Sequence, residues 1–308
     1  MKYHVERRTL IDAPLSKVQP LVENFNEWNK WSPWTIAEPD CPIWITGEPG
    51  QQGHQMQWDG QVIGSGRNTL KSSDAHSLHY NLEFFKPWKS KAEVSFLFEE
   101  RNGQTNVIWS MDSSMPFFLF FMIKVMKNWI GMDYERGLRM LKEIAEKGQI
   151  NCHTANRGIV DHEGFSYVGI QRVVPYRETP TQMKQDFDKI VNDVVVDRKK
   201  GAKHWVSIYP RFNMKNMMVT YIAAVSDEDL KSEDLGPDYI KGDIKSTKAL
   251  EITHDGPYDF LGNAWAMGMM HTRAKKVKGA GFPFEQYWNS PLEVAPEELK
   301  TSVFFPVK

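Results

Sequence analysis

The chain has 308 residues, 41% hydrophobic and 25% charged, a globular composition that excludes a disordered or fibrous protein. Its 38 basic and 39 acidic residues leave a net charge of −1, and no basic cluster offers a non-specific grip on nucleic acid. Two cysteines, Cys41 and Cys152, are too few for a disulfide framework or a four-thiolate zinc site, and Met1 to Arg8 lacks the apolar core of a secretory signal, so a cytoplasmic protein with no membrane partner is expected.

Tyr3, Val5, Arg7, Thr9 and Ile11 alternate as on one face of a strand. Asp12-Ala13-Pro14 reads as a helix start with Asp12 as cap, and Val18, Leu21, Val22 and Phe25 follow at helical spacing, with Pro20 awkwardly placed. Trp28, Trp31 and Trp34 recur through an Asn/Ser/Pro-rich stretch that suits a short second helix or turn. Eight of the 11 Trp precede residue 130, a supply of large rings for a core or for cavity walls. From about Ile43 to Asp112 strands succeed one another: Leu78, Tyr80, Leu82 and Phe84 alternate with polar residues, as do Ala92, Val94, Phe96 and Phe98, then Val107, Trp109 and Met111. Arg101-Asn102-Gly103-Gln104 reads as a hairpin loop within this antiparallel meander. A long helix from Pro116 to Lys147 follows, its stripe traced by Met126, Ile130, Asp133/Tyr134, Leu138, Leu141 and Ala145 and its end marked by Gly148. The run Met115 to Met126 is too short to span a bilayer and reads as a buried helix start.

Residues 149 to 164 read as a linker, because they hold no sustained period. The second half then repeats itself. Its first copy has a strand (Phe165 to Val174), a helix opened by Thr179-Pro180-Thr181-Gln182, and strands Trp205 to Tyr209 and Met217 to Val225. That helix shows Met183, Phe187, Ile190, Val191 and Val194 on its apolar face and ends at Arg198-Lys199-Lys200 and Gly201. An acidic stretch, Ser226 to Asp234, leads to the second copy: strand Thr247 to His254, helix Pro257 to Lys278 closed by Gly279, and strands Phe284 to Trp288 and Thr301 to Val307. Two βαββ units of similar length predict a duplicated domain about a pseudo-two-fold axis.

Ile11-Asp12-Ala13-Pro14, the stretch Phe25 to Trp34 and the pair Gly137-Leu138 make residues 1–148 resemble the SRPBCC superfamily, the START-like or polyketide-cyclase-like helix-grip domains. His254-Asp255-Gly256-Pro257-Tyr258-Asp259, Phe284-Glu285-Gln286-Tyr287 with Asn289-Ser290-Pro291, Pro296 to Thr301 and Phe305-Pro306-Val307 make residues 155–308 resemble the GyrI-like effector-binding domain of bacterial transcription activators. In those activators a helix-turn-helix precedes this domain; here the SRPBCC-like half stands in its place and no DNA-reading helix is evident. The fold class expected is α+β: a helix-grip antiparallel sheet with a long C-terminal helix, then a duplicated βαββ GyrI-like domain.

Glu285 is the leading functional candidate. In a strand it shares a face with Tyr287, opposite Phe284, Gln286 and Trp288. A strand glutamate facing solvent is the commoner outcome from sequence alone; the resemblance instead implies a glutamate at the bottom of an aromatic-walled pocket, able to pair with a cationic ligand. Trp205 and Tyr209 occupy the matching place in the first copy, and Tyr221, Tyr258 and Trp265 are further ligand-binding candidates, with core packing as the alternative for each. His76 and His79 would face opposite ways on a strand, His254 reads as structural, and no P-loop or dinucleotide glycine motif supports a cofactor. The sequence therefore predicts a small-molecule-binding protein with two pockets, a helix-grip cavity between the first half's sheet and its long helix for a hydrophobic molecule, and a GyrI-like pocket at Glu285 for a hydrophobic or cationic one, without metal, cofactor or nucleic acid. The alternatives are a hydrolase or cyclase with Glu285 as general acid or base, and a module that binds or inhibits a protein partner.

Overall fold

The computed structural model describes residues 1–193, 204–226 and 236–308, and the chain divides into two units, Met1–Asn151 and Cys152–Lys308. Each is built on one antiparallel sheet, so the fold is α+β as expected.

The first unit runs β1 (Lys2–Ile11), α1 (Leu15–Glu23), α2 (Phe25–Trp28), α3 (Pro33–Ala37), β2 (Ile43–Thr46), β3 (Gln55–Asp59), β4 (Ser65–Ser73), β5 (Ser77–Lys86), β6 (Ser90–Arg101), β7 (Gln104–Ser114) and α4 (Ile123–Lys147). The strand order is β1-β7-β6-β5-β4-β3-β2, a meander whose last strand turns back to pair with its first. The β6–β7 turn is Asn102-Gly103, both at positive φ (54° and 76°), the backbone that a two-residue hairpin loop requires. Helix α1 ends at Glu23 and leaves carbonyls without helical donors. The Trp31 indole donates to the Leu21 carbonyl at 2.9 Å, and Trp28 and Tyr80 donate to that of Val22 at 2.7 and 2.9 Å. The tryptophans of this segment thus fill volume and satisfy buried backbone at once.

Helix α4 lies across β1 and β7 and buries Tyr134, Gly137, Leu138, Leu141 and Ile144. Trp109 stacks on Tyr134 at 3.8 Å and on Phe96 at 4.8 Å. A Cβ on Gly137 would come 2.8 Å from the Trp109 ring and 3.1 Å from Pro33, so helix and sheet approach as closely as they do only because this residue is glycine. Gly148, at φ 80°, ends the helix.

Three expectations for this unit are corrected. Asp12 does not cap α1; Pro14 precedes the helix without a side-chain cap, and Asp12 accepts from Gln104 instead. Phe25 does not extend α1 but opens α2, after the chain turns at Asn24. The run Met115 to Met126 is not a buried helix start: Phe117–Met122 form a 3-10 turn with four exposed phenylalanines, and α-helix begins only at Ile123. An unbroken apolar run has apolar groups on every side of the turn, and only one side can face the sheet.

The second unit runs β8 (His153–His162), β9 (Phe165–Pro175), α5 (Thr179–Asp193), β10 (Trp205–Asn213), β11 (Met218–Ser226), β12 (Ile240–Ile244), β13 (Thr247–Asp255), α6 (Gly262–Ala274), β14 (Phe284–Tyr287) and β15 (Lys300–Val307). The strand order, β12-β9-β11-β10-β14-β15-β13-β8, is symmetric about the β10–β14 junction. The duplication is present, with one addition. β8 precedes the first copy but pairs with β13 of the second, and β12 precedes the second but pairs with β9 of the first. Each copy thus lends its leading strand to the other. The turns after β8 and β12 pack so closely that a Cβ on Gly164 would meet the Ser246 nitrogen at 2.4 Å.

The predicted linker at 149–164 is therefore corrected, since most of it is β8. This edge strand is half-exposed or exposed along its length, so its sequence is polar and reads like a loop. Thr179 does not cap α5; its hydroxyl donates back to the Pro175 carbonyl, and a 3-10 turn, Tyr176–Glu178, leads into the helix. Helix α6 is shorter than predicted, ending at Ala274, and Gly279 forms a bridge to Val307. Val194, Arg198-Lys199-Lys200, Gly201 and the acidic stretch after Ser226 lie outside the described residues.

Candidate functional site

Strands β10 and β14 meet at the centre of the second sheet with Ser207 opposite Glu285 and Trp205 opposite Tyr287. Alternation puts Trp205, Ser207, Tyr209, Glu285 and Tyr287 on the face that carries α5 and α6. On the other face, Val206, Ile208, Phe284 and Phe304 form a separate apolar cluster. Following the registers outward from the Ser207–Glu285 pair relates the two copies. Ser207 corresponds to Glu285, Tyr209 to Tyr287, and Pro175-Tyr176 to Pro257-Tyr258. Glu285 therefore sits beside the pseudo-two-fold axis.

Its carboxylate is buried and accepts from three aromatic donors. The Trp265 indole reaches Oε1 at 2.5 Å, the Tyr209 hydroxyl reaches Oε2 at 2.9 Å, and the Tyr287 hydroxyl also bonds Oε2. The Tyr287 hydroxyl also lies 2.9 Å from Ser207 Oγ. Burial pushes the Glu285 carboxyl above its ordinary value of 4.5, and the Tyr287, Trp265 and Tyr209 hydrogen bonds oppose that shift without cancelling it. The same burial, reinforced by the glutamate's charge, holds the Tyr209 and Tyr287 hydroxyls far above their ordinary value, so both remain donors. A carboxylate has about four acceptor positions. Among the described residues Oε1 is bonded by Trp265 alone, which leaves it one position for a cation or a further donor.

The site is asymmetric despite its axis. In the first copy Ser207 replaces the glutamate and meets the Met183 sulfur at 3.1 Å, as Glu285 meets Trp265 in the second. The pair of half-sites thus holds a single carboxylate among aromatic and thioether groups.

Of the seven residues singled out in sequence, four share this hydrogen-bonded cluster: Glu285, Tyr287, Tyr209 and Trp265. Tyr258 stands at the rim, 38% exposed, its ring edge-on to Tyr287 at 5.6 Å, and burial followed by the Glu285 charge pushes its hydroxyl up to about 12. Trp205 lies opposite Tyr287 across the strand pair, and the Phe187 ring is 5.8 Å from both. Tyr221 belongs elsewhere: it donates at 2.6 Å to Asp186, which pairs with Arg172 at 3.1 Å beneath α5. Ser207, Met183 and Phe187 were not singled out for the site. Ser207 lies between Trp205 and Tyr209 on the same strand face, a spacing that marks it; nothing in the sequence separates Met183 and Phe187 from ordinary core positions of α5.

His254 holds the turn into the second helix, its ring bonded to Thr154 at 3.1 Å and to the Pro257 carbonyl at 3.1 Å, and burial lowers its pKa. Asn289 accepts from the Lys300 nitrogen and donates to the Glu298 carbonyl, both at 2.8 Å, which closes the loop before β15. A cavity of about 150 Å³ lies between the end of α6 and β15, lined by Val277, Pro283, Phe305 and Val307 among others; Phe305 also packs on Trp265 at 5.4 Å. In the first unit the column Phe96–Trp109–Tyr134 occupies the space between sheet and helix where a helix-grip ligand was expected. Beside it Asp133, paired with Arg136 at 2.6 Å, is raised by burial against the pull of Arg136 and Trp34. Among the described residues no three His, Cys, Asp or Glu side chains gather to share a metal ion.

Residues 2–146 match the family model for polyketide cyclase/dehydrase and lipid transport. Solved structures similar to this chain include the C-terminal domain of EcmrR, at 21% identity over 52% of this chain and 99% of that one, with a TM-score of 0.36. A complex of EcmrR with DNA matches at 16% identity over 61% of this chain and 69% of that one (TM-score 0.38). The Aha1 dimer from Colwellia psychrerythraea matches at 19% identity over 48% of this chain and 99% of that one (TM-score 0.37). No curated protein matches the chain. The family model over residues 2–146 agrees with the resemblance read from the first half of the sequence.

Proposed function

We propose that this protein binds a small apolar cation at Glu285, with Tyr209, Tyr287 and Trp265 holding the carboxylate and Tyr258, Trp205 and Phe187 supplying aromatic wall. The observation that carries the reading is the buried Glu285, bonded by three aromatic donors and still raised in pKa. A carboxylate held this way carries an uncompensated cost of burial, which a cation would relieve. Ring faces around it would add cation–π attraction, and the aromatic setting favours an organic cation over a hydrated inorganic one. The match of residues 2–146 to a family described by polyketide cyclisation and lipid transport supports a small-molecule role for the chain.

The test is thermal stabilisation by benzyltrimethylammonium, with benzyl alcohol as the uncharged counterpart. The cation is expected to raise the melting temperature saturably. Glu285→Gln should weaken it by about ten- to a hundredfold, the loss of one charge-assisted contact. Because the cation selects the ionised carboxylate, its affinity should rise with pH through the raised Glu285 value. Equal stabilisation by both probes, or affinity unchanged in the variant, refutes the reading.

A second reading is turnover. Two tyrosyl hydroxyls on Oε2 could orient a polar substrate while Glu285 takes or gives a proton. It predicts product formation that Glu285→Gln abolishes while affinity survives.

A further inference from the structure

The 3-10 turn after β7 presents Phe117, Phe118, Phe120 and Phe121 to solvent at 76%, 71%, 55% and 59% exposure, followed by Met122 at 38%. Their rings touch one another, Phe117 to Phe120 and Phe120 to Phe121 at 6.1 Å. Strand registers locate the neighbours of this turn. Lys2 is opposite Ser114, Ser113 opposite Ala92, and Ser90 opposite Phe84. Met1 and Met115 also share backbone hydrogen bonds. The start of β1, the turn between β5 and β6 and the phenylalanine turn therefore crowd one end of the sheet. The β5–β6 turn carries Phe85, 39% exposed, and Trp88, 57% exposed.

Two stretches at this end carry basic residues alone. Residues 85–91 hold Lys86, Lys89 and Lys91 with no acid, and residues 115–132 hold Lys124 and Lys127 with no acid. Asp59 pairs with Lys86 at 2.9 Å and Glu83 with Lys91 at 2.7 Å. Lys2, Lys89, Lys124 and Lys127 are exposed, and no carboxylate among the described residues is paired with them.

We propose that this end of the first unit docks on the surface of an anionic lipid bilayer, the phenylalanines and Trp88 entering the interface and the lysines meeting lipid phosphates. An exposed apolar patch needs an occupant, and the pattern here selects one. Aromatic rings with lysines behind them match the layered chemistry of a bilayer surface, rings at headgroup depth and ammonium groups snorkelling to phosphate. Protein interfaces are depleted in lysine, and four phenylalanines splayed round a 3-10 turn offer no flat face to a folded partner. No helix among the described residues is long and apolar enough to cross a membrane, so the contact lies on the surface. The docking departs from the sequence-based expectation of no membrane partner, and it is independent of the ligand at Glu285.

The test is flotation of the full chain with vesicles of equal parts phosphatidylcholine and phosphatidylglycerol, against vesicles of phosphatidylcholine alone. The chain should float with the anionic vesicles, and the association should weaken as salt rises. Replacing Phe117, Phe118, Phe120 and Phe121 together by Ser should reduce partitioning at least about tenfold. Since these rings are already in water, the melting temperature should hold. Changing Lys89, Lys124 and Lys127 to Gln should remove the anionic preference, each lysine being worth about fivefold near such a surface. The proposal is overturned if neither vesicle carries the protein or if the serine variant floats as well as the parent. It is also overturned if sedimentation shows a self-associated chain that the serine variant resolves into monomers without any vesicle binding, which assigns the patch to a second copy.

Discussion

Glu285→Gln tests the electrostatics of the second unit without any ligand. Gln keeps the shape of the side chain and removes its titration. In the variant the amide oxygen takes the Trp265 donor, and the amide nitrogen faces Tyr209 and Tyr287, whose hydroxyls turn to accept it. That exchange adds a pH-independent offset of about 1 kcal/mol. The pH-dependent part is separate. The folded-state pKa of Glu285 is raised above 4.5, so the folded chain holds a proton that the unfolded chain releases. The stability associated with that proton is complete below pH 4.5 and is lost as pH rises through the folded value. Within that window the wild type should lose stability relative to the variant at up to about 1.4 kcal/mol per pH unit, the limit for one proton. Urea unfolding of both proteins at stepped pH gives the difference directly. It should be flat at low pH, slope in the variant's favour above 4.5, and flatten again once the folded carboxylate has ionised. A constant difference would show that Glu285 ionises at its ordinary pKa, and a slope the other way that its pKa is lowered; either result would remove the basis for a strained carboxylate.

Trp265→Phe deletes the Oε1 donor and part of the packing against Tyr209 and Phe305, so calorimetry should record a loss of about 2–4 kcal/mol. The same change should move the Glu285 window further up in pH. Tyr221→Phe strips a donor from buried Asp186 and should cost about 1–3 kcal/mol in urea, yet leave the Glu285 window where it was, since Tyr221 makes no bond to that carboxylate. Gly137→Ala drives a methyl towards the Trp109 ring and Pro33; a loss of about 1–3 kcal/mol confined to the first unit's melting transition is expected, and an unchanged transition would refute the close approach.

The sequence revealed most where one periodicity governed one element. The alternation through β5, β6 and β7 located the meander, and Asn102-Gly103 located its tightest turn, because both signals are local. It misled where burial and pattern parted. β8 is an edge strand, half-exposed or exposed along its length and mostly polar, so its strand character shows in its pairing with β13, a partner far along the chain. The Phe117–Met122 turn is apolar yet exposed, and an apolar run carries no information about which solvent it faces. Asp12 and Thr179 have the residue types of helix caps, but a rigid Pro14 entry and a preceding 3-10 turn displace them. At the site, period-two spacing put Glu285 and Tyr287 on one strand face, but it was the GyrI-like resemblance that made Glu285 a pocket residue; Tyr209 was matched to it through the duplication, and Trp265 stood among the candidates. Tyr221 satisfies the same spacing and still faces α5 and Asp186, since it lies on β11, one strand removed from the axis.

Duplication accounts for the form of that site. An axis through the Ser207–Glu285 pair presents every group twice, and two facing glutamates there would bring like charges together in a buried place. Ser207 in place of the second glutamate removes that repulsion. It also places a hydroxyl 2.9 Å from that of Tyr287, beside the tyrosine's bond to Glu285. Reversing the divergence with Ser207→Glu should therefore raise the pKa of one carboxylate of the resulting pair far above that of Glu285 alone, and the two should titrate as a coupled pair. If infrared carboxylate bands of the variant instead show two independent titrations at ordinary values, the two positions do not meet at the axis.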